Sequence, residues 1–266
     1  MKFISFGSGS SGNCYYLFTK DEGLFIDVGI GVRTLKKHFF SYGLSMSRAR
    51  HILITHDHAD HVKSVGSMSS DYQLPVYSTE LIHQGIVSNY CVSKKIPAAL
   101  VRLFSAGETF QVGGFTVSTF PVPHDSRECV GYSIQADGVT FCIITDAGEI
   151  TEQMEPYISS ANYLVIESNY DEEMLSVGPY PEYLKRRISS GIGHLSNKAC
   201  GEALAKSVTP SLRQVWLCHL SEENNHPELA RKTVESVLRS YGIAPGTDFR
   251  LDVLRRKIPS EVTELL

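Results

Sequence analysis

The sequence predicts an α+β fold in which two packed β-sheets carry helices on their outer faces. Strand-like segments come in runs, with helical segments between the runs, a pattern that argues against a doubly wound sheet. Helical periodicity is confined to four segments. The chain has 266 residues, 42% hydrophobic and 20% charged, which is ordinary globular composition. That length buries a substantial core and suits one large domain over residues 1–266 better than two.

In chain order, Lys2–Phe6, Cys14–Thr19 and Leu24–Asp27 are short apolar runs rich in aromatic and branched residues and read as strands. Between the first two lies Gly7-Ser8-Gly9-Ser10-Ser11-Gly12, which matches a dinucleotide fingerprint letter for letter. A strand follows it where that motif requires a helix, and it has no P-loop lysine. It reads as a hairpin turn. Placed at the mouth of a site, the turn would offer N–H groups to a phosphate, with Ser10 and Asn13 as candidate substrate contacts. Gly31–Ser41 has helical spacing. His51–Thr55 and Pro75–Ser78 are strands, and Thr79–Asn89 is a helix. Leu100–Leu103, Thr116–Val122, Gly131–Ala136 and Val139–Thr145 complete the strand-rich half. Later come strands at Tyr163–Ser168, Gln214–His219 and near Phe249–Leu254, and helices at Asn197–Ser207 and Pro227–Tyr241. His226-Pro227 starts the last helix, because proline is tolerated in a first turn.

The net charge of −4 gives no global attraction to polyanions, so nucleic-acid binding would need a local basic patch. No apolar run approaches a membrane span, and the first residues lack a signal-peptide pattern. The six cysteines are scattered without a CxxC pair. That favours free thiols and a cytoplasmic location.

Chemistry concentrates in Ile54-Thr55-His56-Asp57-His58-Ala59-Asp60-His61-Val62, with three histidines and two aspartates in six consecutive positions. An apolar strand ends at its start, so the cluster lies on the loop leaving that strand. In extended backbone His56 and His58 face one way and Asp57 the other. Four ligands so close together crowd a single ion, and two at each of two neighbouring ions is easier. Imidazole and carboxylate suit zinc, and also manganese or iron. His124, Asp146 and His219 each follow an apolar strand, where ligands at a sheet edge are expected. Asp27 ends another strand and is placed to orient a ligand from behind.

These residues carry a resemblance. The run THDHADH with Asp27, His124, Asp146 and His219 is similar to the motif series of the metallo-β-lactamase fold. GSGSSGN, IESNYDEEML, YLKRRISSGIGHLSN and HLSEENNHPELA resemble its WalJ/YycJ branch over nearly the whole chain. The resemblance implies a four-layer αββα sandwich and two divalent ions, zinc or manganese. His56, His58, His124 and Asp146 would hold one ion; Asp60, His61, Asp146 and His219 would hold the other, with Asp146 bridging. No cysteine stands at position 146, unlike many true β-lactamases, and the second ligand is His58 rather than the glutamate of flavodiiron enzymes. His194 resembles the phosphate-contacting histidine of ribonuclease Z, and Glu167 the glutamate that pairs with it.

His194 is also readable from its surroundings. Gly191 and Gly193 free the preceding loop, and Ser196 or Asn197 caps the helix that follows, so His194 precedes a helix N-terminus that favours anions. Asp60, His194 and Glu167 are the expected catalytic residues, with His194 protonating a leaving alcohol. Lys185, Arg186 and Arg187 are expected to hold a nucleic-acid backbone, and Asn224, in the loop after His219, to contact substrate. The resemblance implies a DNA exonuclease acting 5′ to 3′, with DNA rather than RNA as the expected substrate. The alternatives are a thioester or lactone hydrolase on the same site, for which His194 is dispensable, and a regulatory partner linked to cell-wall signalling.

Overall fold

The computed structural model describes residues 1–266 and contains two mixed seven-stranded sheets with helices outside them. In the first sheet, β1 (Lys2–Gly7), β2 (Cys14–Phe18) and β3 (Gly23–Ile26) are antiparallel neighbours. β4 (Ala49–Leu53), β5 (Val76–Ser78) and β6 (Val101–Leu103) continue from β3 in parallel. In the second sheet, β7 (Thr109–Val112), β8 (Phe115–Pro121), β9 (Val130–Ala136) and β10 (Val139–Ile144) are antiparallel. β11 (Tyr163–Glu167), β12 (Gln214–Cys218) and β13 (Arg250–Val253) follow in parallel. The last strand, β14 (Thr263–Glu264), returns to pair with β1.

Parallel neighbours require crossovers, and helices supply them. α1 (Val32–Ser41), α2 (Ala59–Val62), α3 (Val65–Tyr72) and α4 (Glu80–Ser88) serve the first sheet. α5 (Glu155–Ser160), α6 (Glu172–Val177), α7 (Glu182–Ile188), α8 (Asn197–Ser207) and α9 (Pro227–Ser240) serve the second.

Strand alternation divides the core. On β1, Phe3 faces the second sheet and packs on Phe141 and Trp216, with ring centroids 5.0 and 4.8 Å away. Phe6 faces outward onto Phe39 of α1 at 5.0 Å, beside Tyr16 and Phe25. The outer face of the second sheet buries Leu164, Ile166 and Leu217 with Leu204 of α8 and Val234 and Leu238 of α9.

Strand direction positions the site. β1, β3 and β4 point the same way, as do β8, β10, β11 and β12. The ends of these strands and the loops leaving them collect at one edge; the loops carry Asp27, the His56–His61 run, His124, Asp146 and His219, and the end of β11 carries Glu167.

The strands end earlier than the sequence predicts. Those expected to reach Asp27, Thr55, Thr145 and His219 stop at Ile26, Leu53, Ile144 and Cys218. Asp27, Asp146 and His219 have φ of 57°, 55° and 53°. Left-handed backbone cannot continue a strand, and it costs a residue with a Cβ about 1–2 kcal/mol. It turns all three side chains out of the sheets and into the shared edge. Helices α2, α3, α5, α6 and α7 were not expected. They span four to eight residues, too few for helical periodicity to register.

Candidate active site

The His56–His61 run leaves β4, and His58 caps the one-turn helix α2. His56 and His58 project together, while the Asp57 carboxylate turns away, 3.8 Å from Arg127. Two sets of potential ligand atoms share no member: His56, His58 and His124, and Asp60, His61 and His219; two further groups, His56 with His61 and Asp146, and Asp146 with Glu167, His194 and His219, link them through Asp146. His58 Nδ1 is 3.3 Å from His124 Nε2, and Asp60 Oδ2 is 3.5 Å from both His61 Nε2 and His219 Nε2. Asp146 lies between the sets, with Oδ2 3.3 Å from His61 Nε2 and Oδ1 3.9 Å from His124 Nε2.

Four of the five imidazoles have Nδ1 engaged from behind. His61 Nδ1 donates to Asp27 at 2.7 Å, and His56 Nδ1 meets Thr55 Oγ1 at 3.0 Å, itself bound to Asp27. His124 Nδ1 donates to the Gly193 carbonyl at 3.0 Å, and His219 Nδ1 to Glu167 at 3.0 Å. This arrangement leaves Nε2 to project forward, as in metal-binding histidines held by outer partners. His56 Nε2 is buried without any partner, a costly arrangement for a core histidine and an appropriate one for a ligand. The residues fit divalent ions that accept imidazole and carboxylate donors.

The electrostatics agree. Burial disfavours charge at every group here, yet the carboxylates overcome it at two histidines. His61 is raised well above its ordinary value by Asp27 and Asp146, and His219 is pushed up to about 10, chiefly by Asp146. His61 and His219 in turn hold Asp60 and Asp146 well below the usual carboxylate range, against burial. Burial keeps His56 low, with His61 adding to it. Cations entering the Asp60 half therefore compete with protons.

His194 stands beside this cluster, its ring 5.2 Å from that of His124 and 5.4 Å from that of His219. Its Nδ1 donates to Glu167 Oε1 at 2.8 Å. Its side chain is 21% exposed, and Nε2 has no partner within the protein. Burial lowers its pKa, but Glu167 more than reverses this, so the net shift is upward. Glu167 is fully buried and also accepts from Ala147 N at 2.7 Å, Leu195 N at 3.2 Å and Asn169 Nδ2 at 3.3 Å. One carboxylate thus orients both a candidate ligand, His219, and the candidate proton donor, His194.

The family model for the β-lactamase superfamily domain matches residues 24–219. The chain is 34% identical to the exodeoxyribonuclease YycJ of Bacillus anthracis, with 98% of each chain covered. The chain belongs to the metallo-β-lactamase superfamily, in its YycJ/WalJ branch. It is also 32% identical to the exodeoxyribonuclease WalJ of Streptococcus pneumoniae, over 94% of this chain and 93% of that one. The crystal structure of zinc-bound PqqB from Methylobacterium extorquens superposes with a TM-score of 0.73 at 16% identity, covering 100% of both chains. It shares the metallo-β-lactamase fold.

The expected substrate contacts of this metallo-β-lactamase-fold protein are placed unevenly. Ser10 is exposed at the tip of the turn between β1 and β2. Arg186 is exposed without an ion pair, in a groove beside Tyr170. Lys185 is tied to the Ser176 carbonyl and to Glu182. Arg187 is paired with Asp125, so it braces the loop after β8 rather than standing free. Two expectations are corrected. Asn224 is fully buried and cannot reach a substrate there. Asn13 is also fully buried, with its amide turned inward against Asp60.

Other supporting residues carried no sequence signal. Thr55 links Asp27 to His56. Asn169 Nδ2 donates to the His219 carbonyl at 2.8 Å. Asp125 places a carboxylate oxygen 3.5 Å from His124 Nε2. Gly148 lets the loop after β10 touch the His194 loop, since a Cβ there would lie 2.3 Å from the Gly191 carbonyl. Gly148→Ala is expected to displace that loop and lower turnover on the order of 10²-fold, with metal content unchanged. Steady-state kinetics beside elemental analysis checks this.

Proposed function

We propose that the protein is a metal-dependent nuclease that degrades DNA from an end, in the 5′ to 3′ direction, with two divalent ions, zinc or manganese, at its centre. The observation that carries the reading is the His194–Glu167 pair beside Asp146 and His219. A donor histidine held by a buried carboxylate is what the alkoxide leaving group of a phosphodiester requires, and what the thiolate of a thioester does not. The names of the YycJ and WalJ relatives support the same reading.

His56, His58, His124 and Asp146 would hold one ion, and Asp60, His61, Asp146 and His219 the other. Ions bound there supply Lewis acidity toward the phosphate and its attacking water. The protein does the rest. Asp60, with its side chain 23% exposed, accepts a hydrogen bond from the attacking water and orients it. As the new P–O bond forms, the attacking water releases its proton to solvent and the bond to the leaving nucleoside oxygen breaks. His194 Nε2 gives that oxygen its proton, and Glu167 stabilises the imidazolium before transfer and holds the ring throughout. All six cysteines are free thiols, which suits a cytoplasmic site of action. No helix is long and apolar enough to cross a membrane.

The test gives the protein, loaded with zinc or manganese, end-labelled single- and double-stranded DNA and RNA, together with a thioester and a lactone. Progressive release of label from the 5′ end of DNA, abolished by chelation, is expected. Failure to cleave any phosphodiester, with brisk thioester or lactone turnover, would overturn the reading.

A further inference from the structure

Asn13 belongs to neither ligand set, yet it touches one of them. We propose that Asn13 is a positioning residue that clamps Asp60 for the ion in the Asp60–His61–His219 half; the inference rests on the two-ion reading above.

The amide orientation is determined by its partners. The Gly9 N–H can only donate, and it lies 2.8 Å from Asn13 Oδ1. That makes Oδ1 the acceptor and aims Nδ2 at the site, 3.1 Å from Asp60 Oδ2 and 2.9 Å from His61 Nε2. The main chain grips the same residue, because Asn13 N–H donates to the Asp60 carbonyl at 2.7 Å. Asp60 needs such a hold. It sits on the one-turn helix α2, and apart from Asn13 its carboxylate meets only the Nε2 atoms of His61 and His219. Once an ion takes those two nitrogens, Asn13 is the one donor left to orient the carboxylate.

The same turn holds the opposite wall. Ser8 Oγ accepts from the His219 N–H at 2.9 Å and is hydrogen-bonded to the Tyr15 hydroxyl at 2.8 Å. Tyr15 reaches Asn13 Oδ1 at 3.4 Å. Asp60 follows a strand of the first sheet and His219 a strand of the second. The Gly/Ser turn therefore spans both sheets and sets the distance between two ligands of one ion. This explains why Asn13 is buried at the mouth of a polar cleft, where a substrate contact would be exposed.

The experiment strips the full-length protein of metal and titrates it with zinc alone, by calorimetry, as wild type, Asn13→Ala and Asn13→Ser. Serine retains an acceptor for Gly9 but cannot reach Asp60. Two ions are expected on the wild type. Both variants should keep one ion at wild-type affinity and bind the other roughly 10- to 100-fold more weakly, the usual cost of losing an outer partner. Thermal unfolding without metal should be nearly unchanged. A single ion on the wild type overturns the two-ion reading. Two ions on the wild type, with both affinities unchanged in the variants, overturns the clamp alone. Equal weakening of both ions, or metal-free variants that do not fold, also overturns it by assigning Asn13 to the fold.

Discussion

His194→Ala is expected to lower turnover of a DNA substrate by about 10²- to 10⁴-fold, the range for loss of a general acid, while both ions remain bound. The geometry separates the two effects. Candidate ligands around His194 keep their outer partners when it is removed: Asp27 behind His61, Gly193 behind His124, Glu167 behind His219. On the proposed mechanism, only the donor beside the leaving oxygen disappears. An activated ester with a good leaving group, such as a p-nitrophenyl phosphodiester, should be far less affected, because its leaving group needs no proton. Glu167→Gln should do more damage than loss of the donor alone. It loosens His194 and also His219, so it should lower metal affinity as well as turnover. Loss of both ions from His194→Ala, measured by elemental analysis, would remove the acid role and make His194 a structural part of the metal centre.

Asp146→Ala is expected to abolish activity and to weaken both ions, by more than the roughly 10- to 100-fold that loss of an outer partner costs. Its Oδ2 lies 3.3 Å from His61 Nε2, and its Oδ1 lies 3.9 Å from His124 Nε2 and 3.4 Å from His219 Nδ1, so on the two-ion reading one substitution removes a donor from each half. It should also destabilise the metal-free protein by about 3–5 kcal/mol, the range for removing one partner of a buried charge pair. Asp146 is 2% exposed, and the raised His61 and His219 depend on it. Thermal unfolding with and without zinc checks both parts. Two ions retained at wild-type affinity would show that the halves do not share this carboxylate.

Much of the site was legible because its signals are local. The spacing of His56, His58, Asp60 and His61 is enough to show a metal-binding run, and the turning away of Asp57 follows from strand alternation alone. His124, Asp146 and His219 were visible as polar residues closing apolar strands. The failures share one cause. Asn13 and Asn224 read as substrate contacts because polar residues near a motif look exposed, and nothing in their neighbourhood reports that the opposite sheet or a return loop covers them. Arg187 read as free charge because Asp125 lies 62 positions away. The Glu167–His194 pairing came through family resemblance, but the second bond of Glu167, to His219, spans 52 positions and left no trace.

By itself, the sequence determined the residue types, the alternation that splits each strand into two faces, and a chain of strand runs that must close into two sheets. Those properties depend on neighbours a few residues apart, and apolar periodicity records them. Only the tertiary structure decided which imidazole nitrogen faces inward, how Asp146 comes to sit between two ligand sets, and which polar side chains are sealed from water. Each of these is set where strands of two sheets end at one edge, through left-handed turns at Asp27, Asp146 and His219. The distances between such residues are fixed by strand pairing and sheet packing, which no local pattern encodes.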